Sequence, residues 1–301
     1  MHLRKSTDLH LRHNARMHTT LISAAELLQL TAHGAPLRIF DCSYELMKPE
    51  AGLAQFEAEH IPGSVHVHLE HHLSDKSGPD RASGGRHPLP SRATLAIRMG
   101  QLGLDNAAQA VVLDRGAIAT SGRLWWMLKW CGHEAVAVLD GGLAAWKAAG
   151  GAVENGPGQP PKPAVFELRE PLVQAVGTAA IADALGRPAM TLIDARAGAR
   201  FRGETEPLDP VAGHIPGALN RPFGDNMAPD GRFKPAAELR AEFERLLAGR
   251  DPATVVHHCG SGVSAVPNLL AMEIAGLGRA KLYPGSWSEW CTTPGLPMAQ
   301  G

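Results

Sequence analysis

The chain has 301 residues, which is too long for one typical core and suits two domains of about 150 residues each. Its 29 Lys and Arg nearly cancel its 30 Asp and Glu, so no overall field favours nucleic acid or an anionic membrane as a partner. No apolar run reaches the roughly 18 residues of a membrane span and no secretory signal is recognisable, so we expect a cytoplasmic protein, or a mitochondrial one if the source is eukaryotic.

Strand-like apolar runs alternate with amphipathic stretches along the chain. Residues 1–18 are basic, rich in histidine and poor in apolar residues, which predicts a disordered tail. Ser23 and Glu26 have the spacing of a capping box that opens the first helix. This alternation predicts an α/β fold with mainly parallel sheets. The strands are predicted at 37–41, 110–114, 135–140, 191–195, 254–258 and 280–284, and covering helices at 91–102, 122–130 and 235–247.

The two halves of the chain repeat the same motifs in the same order. The tetrapeptide HIPG begins at His60 and again at His214, and the run VVLD that ends at Asp114 lies opposite VHHC, which ends at Cys259. Such a duplication predicts two similar domains with a cleft between them. The domains are placed at 19–150 and 174–301, with a Gly- and Pro-rich linker at 151–173.

One cysteine stands in a setting that favours chemistry. Cys259 ends a predicted strand, and the loop GSGVSA follows it before an apolar helix. A strand, a glycine-bearing loop and a helix start place several backbone N–H groups around one point, which stabilises an anion and favours the reactive thiolate. The first half has Asp114 at this place, so we expect only the second half to be catalytic.

The remaining cysteines have no such loop. No two of the four cysteines have a C-x-x-C spacing, which argues against a zinc site and against a disulfide framework. The adjacent His257 and His258 do not predict a metal site either, because neighbouring strand residues point to opposite faces. We therefore expect no metal or organic cofactor, and we interpret three cysteines as reduced structural thiols: Cys42, Cys131 and Cys291.

The combined motifs resemble the tandem-domain rhodaneses. The resemblance covers about residues 19–298 and is carried by HIPG in both halves, RLWWML and LDGGLAAW in the first, and RFRG, CGSGVSA and PGSWSEW in the second. It implies two rhodanese-like domains, each a mainly parallel sheet flanked by helices. The loop C-G-S-G-V-[ST]-A is typical of 3-mercaptopyruvate sulfurtransferases, whereas the thiosulfate sulfurtransferases of the family carry two basic residues after the cysteine.

The resemblance implies a sulfurtransferase reaction. A Cys259 persulfide would carry sulfur from 3-mercaptopyruvate to an acceptor thiol, such as thioredoxin, or to cyanide, and pyruvate would be released. Thiosulfate as the donor remains the alternative. A phosphatase of related architecture needs C-x5-R, whose arginine binds phosphoryl oxygens, but Ala265 and Val266 stand in that region here. A noncatalytic binding module would be favoured by a degenerate cysteine loop, and this loop is intact.

Three further residues receive catalytic roles from the resemblance alone. Ser261 corresponds to a loop serine that relays a proton, His60 to a histidine that reaches the site across the cleft, and Glu50 to the acidic member of the relay. Each has a plainer interpretation. Ser261 is small enough for the loop to turn, His60 fixes the Ile-Pro turn as His214 does, and Glu50 is a solvated charge on a segment with other carboxylates.

The substrate carboxylate is expected to bind Arg200, which matches the family arginine in RFRG. The second arginine of the family is missing, because Leu208 stands in its place. Losing one charge-assisted contact costs about 1.5 to 3 kcal/mol, which predicts weak affinity for 3-mercaptopyruvate or another donor unless Arg221 or Arg202 replaces it. The insertion at 78–90 is interpreted as a mobile surface loop at the cleft edge, without chemistry. The cysteine loop supplies the other expected substrate-binding residues, Gly260, Gly262, Val263 and Ser264.

Overall fold

The structure is a computed structural model that describes residues 17–116 and 118–301. Residues 1–16 of the predicted tail lie outside the described residues. The described chain forms two parallel sheets flanked by helices, one in each half, so the predicted α/β class is confirmed. In the described part of the chain, no helix combines the length and the apolar character needed to cross a membrane.

The first sheet has five parallel strands in the order β1-β5-β4-β2-β3. Its strands are β1 (Leu21–Ile22), β2 (Leu37–Asp41), β3 (Val65–His66), β4 (Gln109–Leu113) and β5 (Val136–Leu139). The helices of this half are α1 (Ala24–Ala32), α2 (Ala51–Ala58), α3 (Arg92–Gln101), α4 (Ala119–Trp130) and α5 (Gly142–Ala148). The predicted capping box is confirmed, because Ser23 Oγ accepts from the Glu26 N–H and the Glu26 carboxylate accepts from the Ser23 N–H.

The second sheet has four parallel strands in the order β7-β6-β8-β9. They are β6 (Thr191–Asp194), β7 (Leu219–Asn220), β8 (Val255–His258) and β9 (Lys281–Leu282). The helices are α6 (Thr178–Ala184), α7 (Gly198–Phe201), α8 (Ala236–Leu247), α9 (Val266–Ile274) and α10 (Ser286–Trp290), with 3-10 turns at Phe223–Asn226 and Pro252–Thr254. A parallel bridge between Ala175 and Leu282 takes the place that β1 has in the first half, so the two strand orders correspond.

The strand predicted at 280–284 is shorter than expected. It is reduced to β9, and its pairing ends before Pro284, which has no N–H to donate. The early end of β9 matters for the site, because the turn at Pro284 and Gly285 leads directly into α10. The first residues of α10 contact the cysteine loop.

One of three apolar clusters among the described residues is shared by the two halves. In each parallel sheet, alternate residues face different helix layers, which explains the nearly continuous apolar strands. In the first half Val111 and Leu113 pack toward α1 and α5, whereas Val112 packs toward α3 and α4. The α4 side meets α9 of the second half, and Lys129 and Glu273 form an ion pair of 2.8 Å between them. The carboxyl end of β8 therefore faces the first half.

Candidate active site

Cys259 directly follows β8 and is 1% exposed. Its backbone N–H donates to Ser286 Oγ at 3.1 Å, and its carbonyl accepts from the Trp287 N–H at 3.0 Å. The next carbonyl, of Gly260, accepts from the Ser288 N–H at 2.9 Å. The start of α10 therefore holds the cysteine loop in place through three hydrogen bonds.

Gly262 is required by the geometry of the loop. Its φ is 73°, in the left-handed region, and a Cβ there would lie 2.2 Å from the carbonyl oxygen of Pro284. The loop backbone thus passes directly against the turn that precedes α10. Gly262 does not line the cleft as a substrate-binding residue, and its carbonyl instead accepts from Arg123 Nη1 at 3.1 Å.

Arg123 is a buried cation that joins the two halves at this point. From α4 its guanidinium donates to the carbonyls of Leu73, His87 and Gly262, at 2.8 to 3.2 Å. Burial lowers the pKa of Arg123 to about 10, and the nearby Cys259 raises it, so the group is cationic at neutral pH. Its three hydrogen-bond acceptors are neutral carbonyls, so no carboxylate is hydrogen-bonded to this buried cation.

Ser261 meets a histidine from the first half. Its Oγ lies 2.8 Å from His87 Nδ1, and both side chains are buried. Burial, together with the neighbouring Arg123 and Arg86, lowers the pKa of His87 to about 3. The ring is therefore uncharged at neutral pH, and its Nδ1 shares a hydrogen bond with the Ser261 hydroxyl. His87 Nε2 is buried and has no hydrogen-bond partner among the described residues.

The expectation that 78–90 is a mobile surface loop is wrong for residues 85–87, which pack at the cleft. The backbone N–H of Arg86 donates to Ser288 Oγ at 2.9 Å, so the segment is bonded to α10 of the second half. A Cβ at Gly85 would lie 2.6 Å from the Gly285 carbonyl oxygen, so glycine permits this close approach. The signal available in the sequence was an arginine and a histidine directly after two glycines, in a segment that no strand or helix pattern explains.

The structure does not bring His60 to the cysteine loop. His60 Nδ1–H donates to the Phe56 carbonyl at 2.8 Å, its ring stacks on Phe56 at 3.9 Å, and its Nε2 lies 3.2 Å from Glu154 Oε1. His214 repeats this arrangement, with a 2.8 Å bond to the Phe201 carbonyl and stacking at 3.8 Å. The matching environments favour the interpretation that both histidines fix their Ile-Pro turns.

A cleft of about 290 Å³ opens beside the cysteine loop and takes residues from both halves. Glu50 does not line it and is exposed before the start of α2. The charged residues that line the cleft, among those that the structure describes, are Arg86 and Arg200. The lining comprises Tyr44, Leu46, Leu69, Arg86, His87, Ala119 and Thr120 of the first half, and Arg200, Leu208, Phe223, Gly260, Ser261, Val263 and Ser264 of the second.

Arg200 lies where the resemblance implied, at the cleft. Its Nη2 donates to both carboxylate oxygens of Glu206, at 2.6 and 2.9 Å, which orients the guanidinium. The two arginines considered as replacements for the missing one are engaged elsewhere. Arg221 is buried against Asn226 and Glu242, Arg202 is paired with Glu204 in solvent, and neither lines the cleft.

The other cysteines carry no comparable site. All four are unpaired thiols, and burial raises the pKa of Cys131 to about 11, which leaves it protonated. Burial likewise raises the pKa of Cys42 and of Cys291. Within residues 17–116 and 118–301, no cluster of three or more His, Cys, Asp or Glu side chains is arranged to hold a metal ion.

Comparisons with known proteins agree with the fold and with the duplication. The model of the rhodanese-like domain matches twice, at residues 23–149 and 178–293. A probable 3-mercaptopyruvate sulfurtransferase of Pseudomonas aeruginosa is 45% identical over 287 residues, which cover 93% of this chain and all of the relative. A putative thiosulfate sulfurtransferase, SseB of Mycobacterium tuberculosis, is 42% identical and covers 93% of this chain and 97% of its own length.

A solved structure shows the same architecture. SseA from Escherichia coli, described as a 3-mercaptopyruvate sulfotransferase, superposes with a TM-score of 0.74 at 31% identity, over 90% of this chain and all of SseA. The strand order, the duplicated halves and the matched residues lead to one conclusion. The chain belongs to the rhodanese-like domain family and contains one copy of the domain in each half.

Proposed function

We propose that this sulfurtransferase takes sulfur from 3-mercaptopyruvate as a persulfide on Cys259 and passes it to an acceptor thiol or to cyanide. The observation that carries the proposal is the position of Cys259. It stands at the start of an uncharged loop that is held by α10, and Gly260 and Ser261 of that loop line a cleft with arginines on one side. The names of the relatives in Pseudomonas aeruginosa and Mycobacterium tuberculosis support sulfur transfer but differ over the donor.

In the first step the Cys259 thiolate attacks the sulfur of 3-mercaptopyruvate. A sulfur–sulfur bond forms while the carbon–sulfur bond breaks, and the electron pair of that bond leaves with carbon as pyruvate enolate. The enolate takes up a proton and becomes pyruvate. This proton is the one that the thiol of the donor loses. The Ser261 hydroxyl and the uncharged His87 ring are the pair beside the loop that is able to move this proton.

In the second step an acceptor thiolate, or cyanide, attacks the outer sulfur of the persulfide. The sulfur–sulfur bond breaks, and its electron pair returns to Cys259 as the thiolate. Between the two steps the persulfide anion needs stabilisation, which the positive Arg123 beside Cys259 supplies. A protein acceptor such as thioredoxin fits this scheme because the transfer needs only a reactive thiol at the cleft.

Thiosulfate is the second candidate donor. The observation in its favour is the pair of arginines at the cleft, because a dianion gains from two cations in the same way as a carboxylate does. Against it stands the loop itself, since the residues from Gly260 to Ala265 contain no basic side chain beside the reacting sulfur.

The test is the steady-state turnover of the purified chain with each donor, with cyanide or a dithiol as the acceptor. We expect the higher kcat/KM with 3-mercaptopyruvate, no turnover in Cys259→Ser, and a gain of about 32 Da, one sulfur, on Cys259 after treatment with donor alone. A higher kcat/KM with thiosulfate would select the alternative donor. If neither donor loads sulfur onto Cys259, the proposed reaction is wrong.

A further inference from the structure

Arg86 and Arg200 reach the same point of the cleft from different halves of the chain. A Cβ on Gly260 would lie 3.0 Å from Arg86 Nη2 and 3.6 Å from Arg200 Nη1 and Nη2. The bare backbone of Gly260 therefore keeps open a space with guanidinium groups on its border. The sulfur of the substrate would react at the adjacent residue, Cys259.

Each guanidinium is held by a carboxylate that does not itself line the cleft. Arg86 donates to Asp209 through Nη1 at 2.5 Å, and Arg200 is held by Glu206. Arg86 Nη2 faces Gly260, whereas its Nε is buried without a hydrogen-bond partner among the described residues.

Arg86 and Arg200 approach the cleft from opposite sides of the boundary between the halves. Arg86 is fixed by its backbone bond to Ser288, and Arg200 lies on α7. Leu208, at the position where the resemblance implied a second arginine, lines the same cleft with an apolar side chain. Arg86 thus places in the cleft the positive charge that Leu208 does not supply, although Arg86 lies more than a hundred residues earlier in the chain.

We propose that Arg86 and Arg200 together bind the carboxylate of the sulfur donor, so that Arg86 replaces the arginine absent at position 208 and determines the preference for anionic donors. The inference rests on the proposed function, because it assigns the substrate-binding group of that reaction. The first half of the chain would then contribute to substrate recognition through Arg86, in addition to supplying His87.

The test compares 3-mercaptopyruvate with mercaptoacetone, which has the same thiol and ketone but no carboxylate. With mercaptoacetone the same carbon–sulfur bond breaks, and acetone enolate is the leaving group. Arg86→Ala should lower kcat/KM for 3-mercaptopyruvate by about ten- to a hundredfold, since one charge-assisted contact is lost. The value for mercaptoacetone should stay within about twofold of the wild-type value, because that donor offers the arginine no anion.

Three further variants sharpen the result. Arg86→Lys keeps the charge without the planar fork and should give a smaller loss with 3-mercaptopyruvate. Leu208→Arg should restore part of the rate in the Arg86→Ala background and should not improve the wild-type enzyme. Arg202→Ala, which removes a solvent-exposed arginine paired with Glu204, is the matched control and should leave both donors unaffected.

The outcomes separate this inference from the proposed function. Equal losses with both donors would show that Arg86 acts through its ion pair with Asp209 on the fold, and would overturn the inference. Unchanged kcat/KM for 3-mercaptopyruvate in Arg86→Ala would overturn the inference alone. A wild-type enzyme that does not turn over 3-mercaptopyruvate would overturn both.

Discussion

The loops after β4 and β8 occupy equivalent places in the two halves, yet they accommodate negative charge differently. After β4, the Asp114 carboxylate accepts hydrogen bonds from the loop that follows it, including the Ser121 hydroxyl. The backbone N–H donors lie at 2.9 to 3.2 Å and belong to Gly116, Ile118, Thr120 and Ser121. After β8 the same place holds Cys259, whose side chain ends at sulfur. The first loop therefore surrounds a carboxylate of its own chain, whereas the second surrounds a thiol.

The two central strands differ in the same way. In β4 the positions before the loop are Val112 and Leu113, which are buried and apolar. In β8 the matching positions are His257 and His258, which are also fully buried. One copy of the duplicated unit therefore has apolar residues before its loop, while the other has buried titratable groups beside its cysteine.

Converting the second loop into the first is the most drastic test of this comparison. Cys259→Asp should abolish sulfur transfer, with a loss of at least about a thousandfold, because a carboxylate cannot form the persulfide. Its free energy of unfolding should match or exceed that of Cys259→Ser, since the loop then binds a carboxylate as the first loop does. The measurements are turnover and urea unfolding. An aspartate variant less stable than the serine variant by about 2 kcal/mol would show that the loops are not equivalent anion sites.

Removing the anion of the first loop should cost stability. Asp114→Ala leaves several buried N–H groups without an acceptor, so we expect a loss of about 3 kcal/mol in the free energy of unfolding. The matched control is Asp105→Ala, whose carboxylate accepts from the N–H groups of Ala107 and Ala108 in an exposed turn. That control should cost under about 1 kcal/mol. Equal losses in urea unfolding would contradict a special role for Asp114.

The histidines offer a test of which residue assists the reaction. His87→Ala should lower kcat/KM by about a hundredfold with little change in melting temperature, because it removes the partner of Ser261. His60→Ala should lower the melting temperature and leave kcat/KM of the folded enzyme unchanged, and His214→Ala should behave alike as its structural counterpart. If instead His60→Ala loses activity at unchanged stability, His60 is the relay histidine that the resemblance implied.

His257, one of the two buried histidines of β8, should make the protein sensitive to acid. Burial, with His258 and Arg221 adding to it, lowers the pKa of His257 to about 3, against about 6.5 in the unfolded chain. Its contribution to stability is therefore complete above about pH 6.5 and is lost as the pH falls toward 3, with about 2 kcal/mol lost by pH 5. His257→Val, which introduces the residue found at the matching place in β4, should reduce the loss between pH 7 and pH 5 by this amount. An unchanged loss in urea unfolding would assign the sensitivity to other groups.

Local sequence was sufficient to predict much of the fold and the position of the cysteine loop. The alternation of apolar runs and amphipathic stretches predicted the α/β class because strand and helix periodicities depend on near neighbours. The strand ending before Cys259 and the loop after it were predicted in the same way. Arg200 was found because it lies in a short motif, and the structure places it at the cleft.

The tertiary structure decided the part of the site that comes from the first half. His87 and Ser261 are separated by 174 residues, and no local pattern indicates that they meet. Arg86 reaches the cleft only because Gly85 lets its segment lie against the start of α10. The sequence by itself therefore determined the candidate nucleophile, since the loop around Cys259 is contiguous with it. The groups proposed to bind the donor and to move its proton were determined by packing, because their positions depend on how the two halves meet.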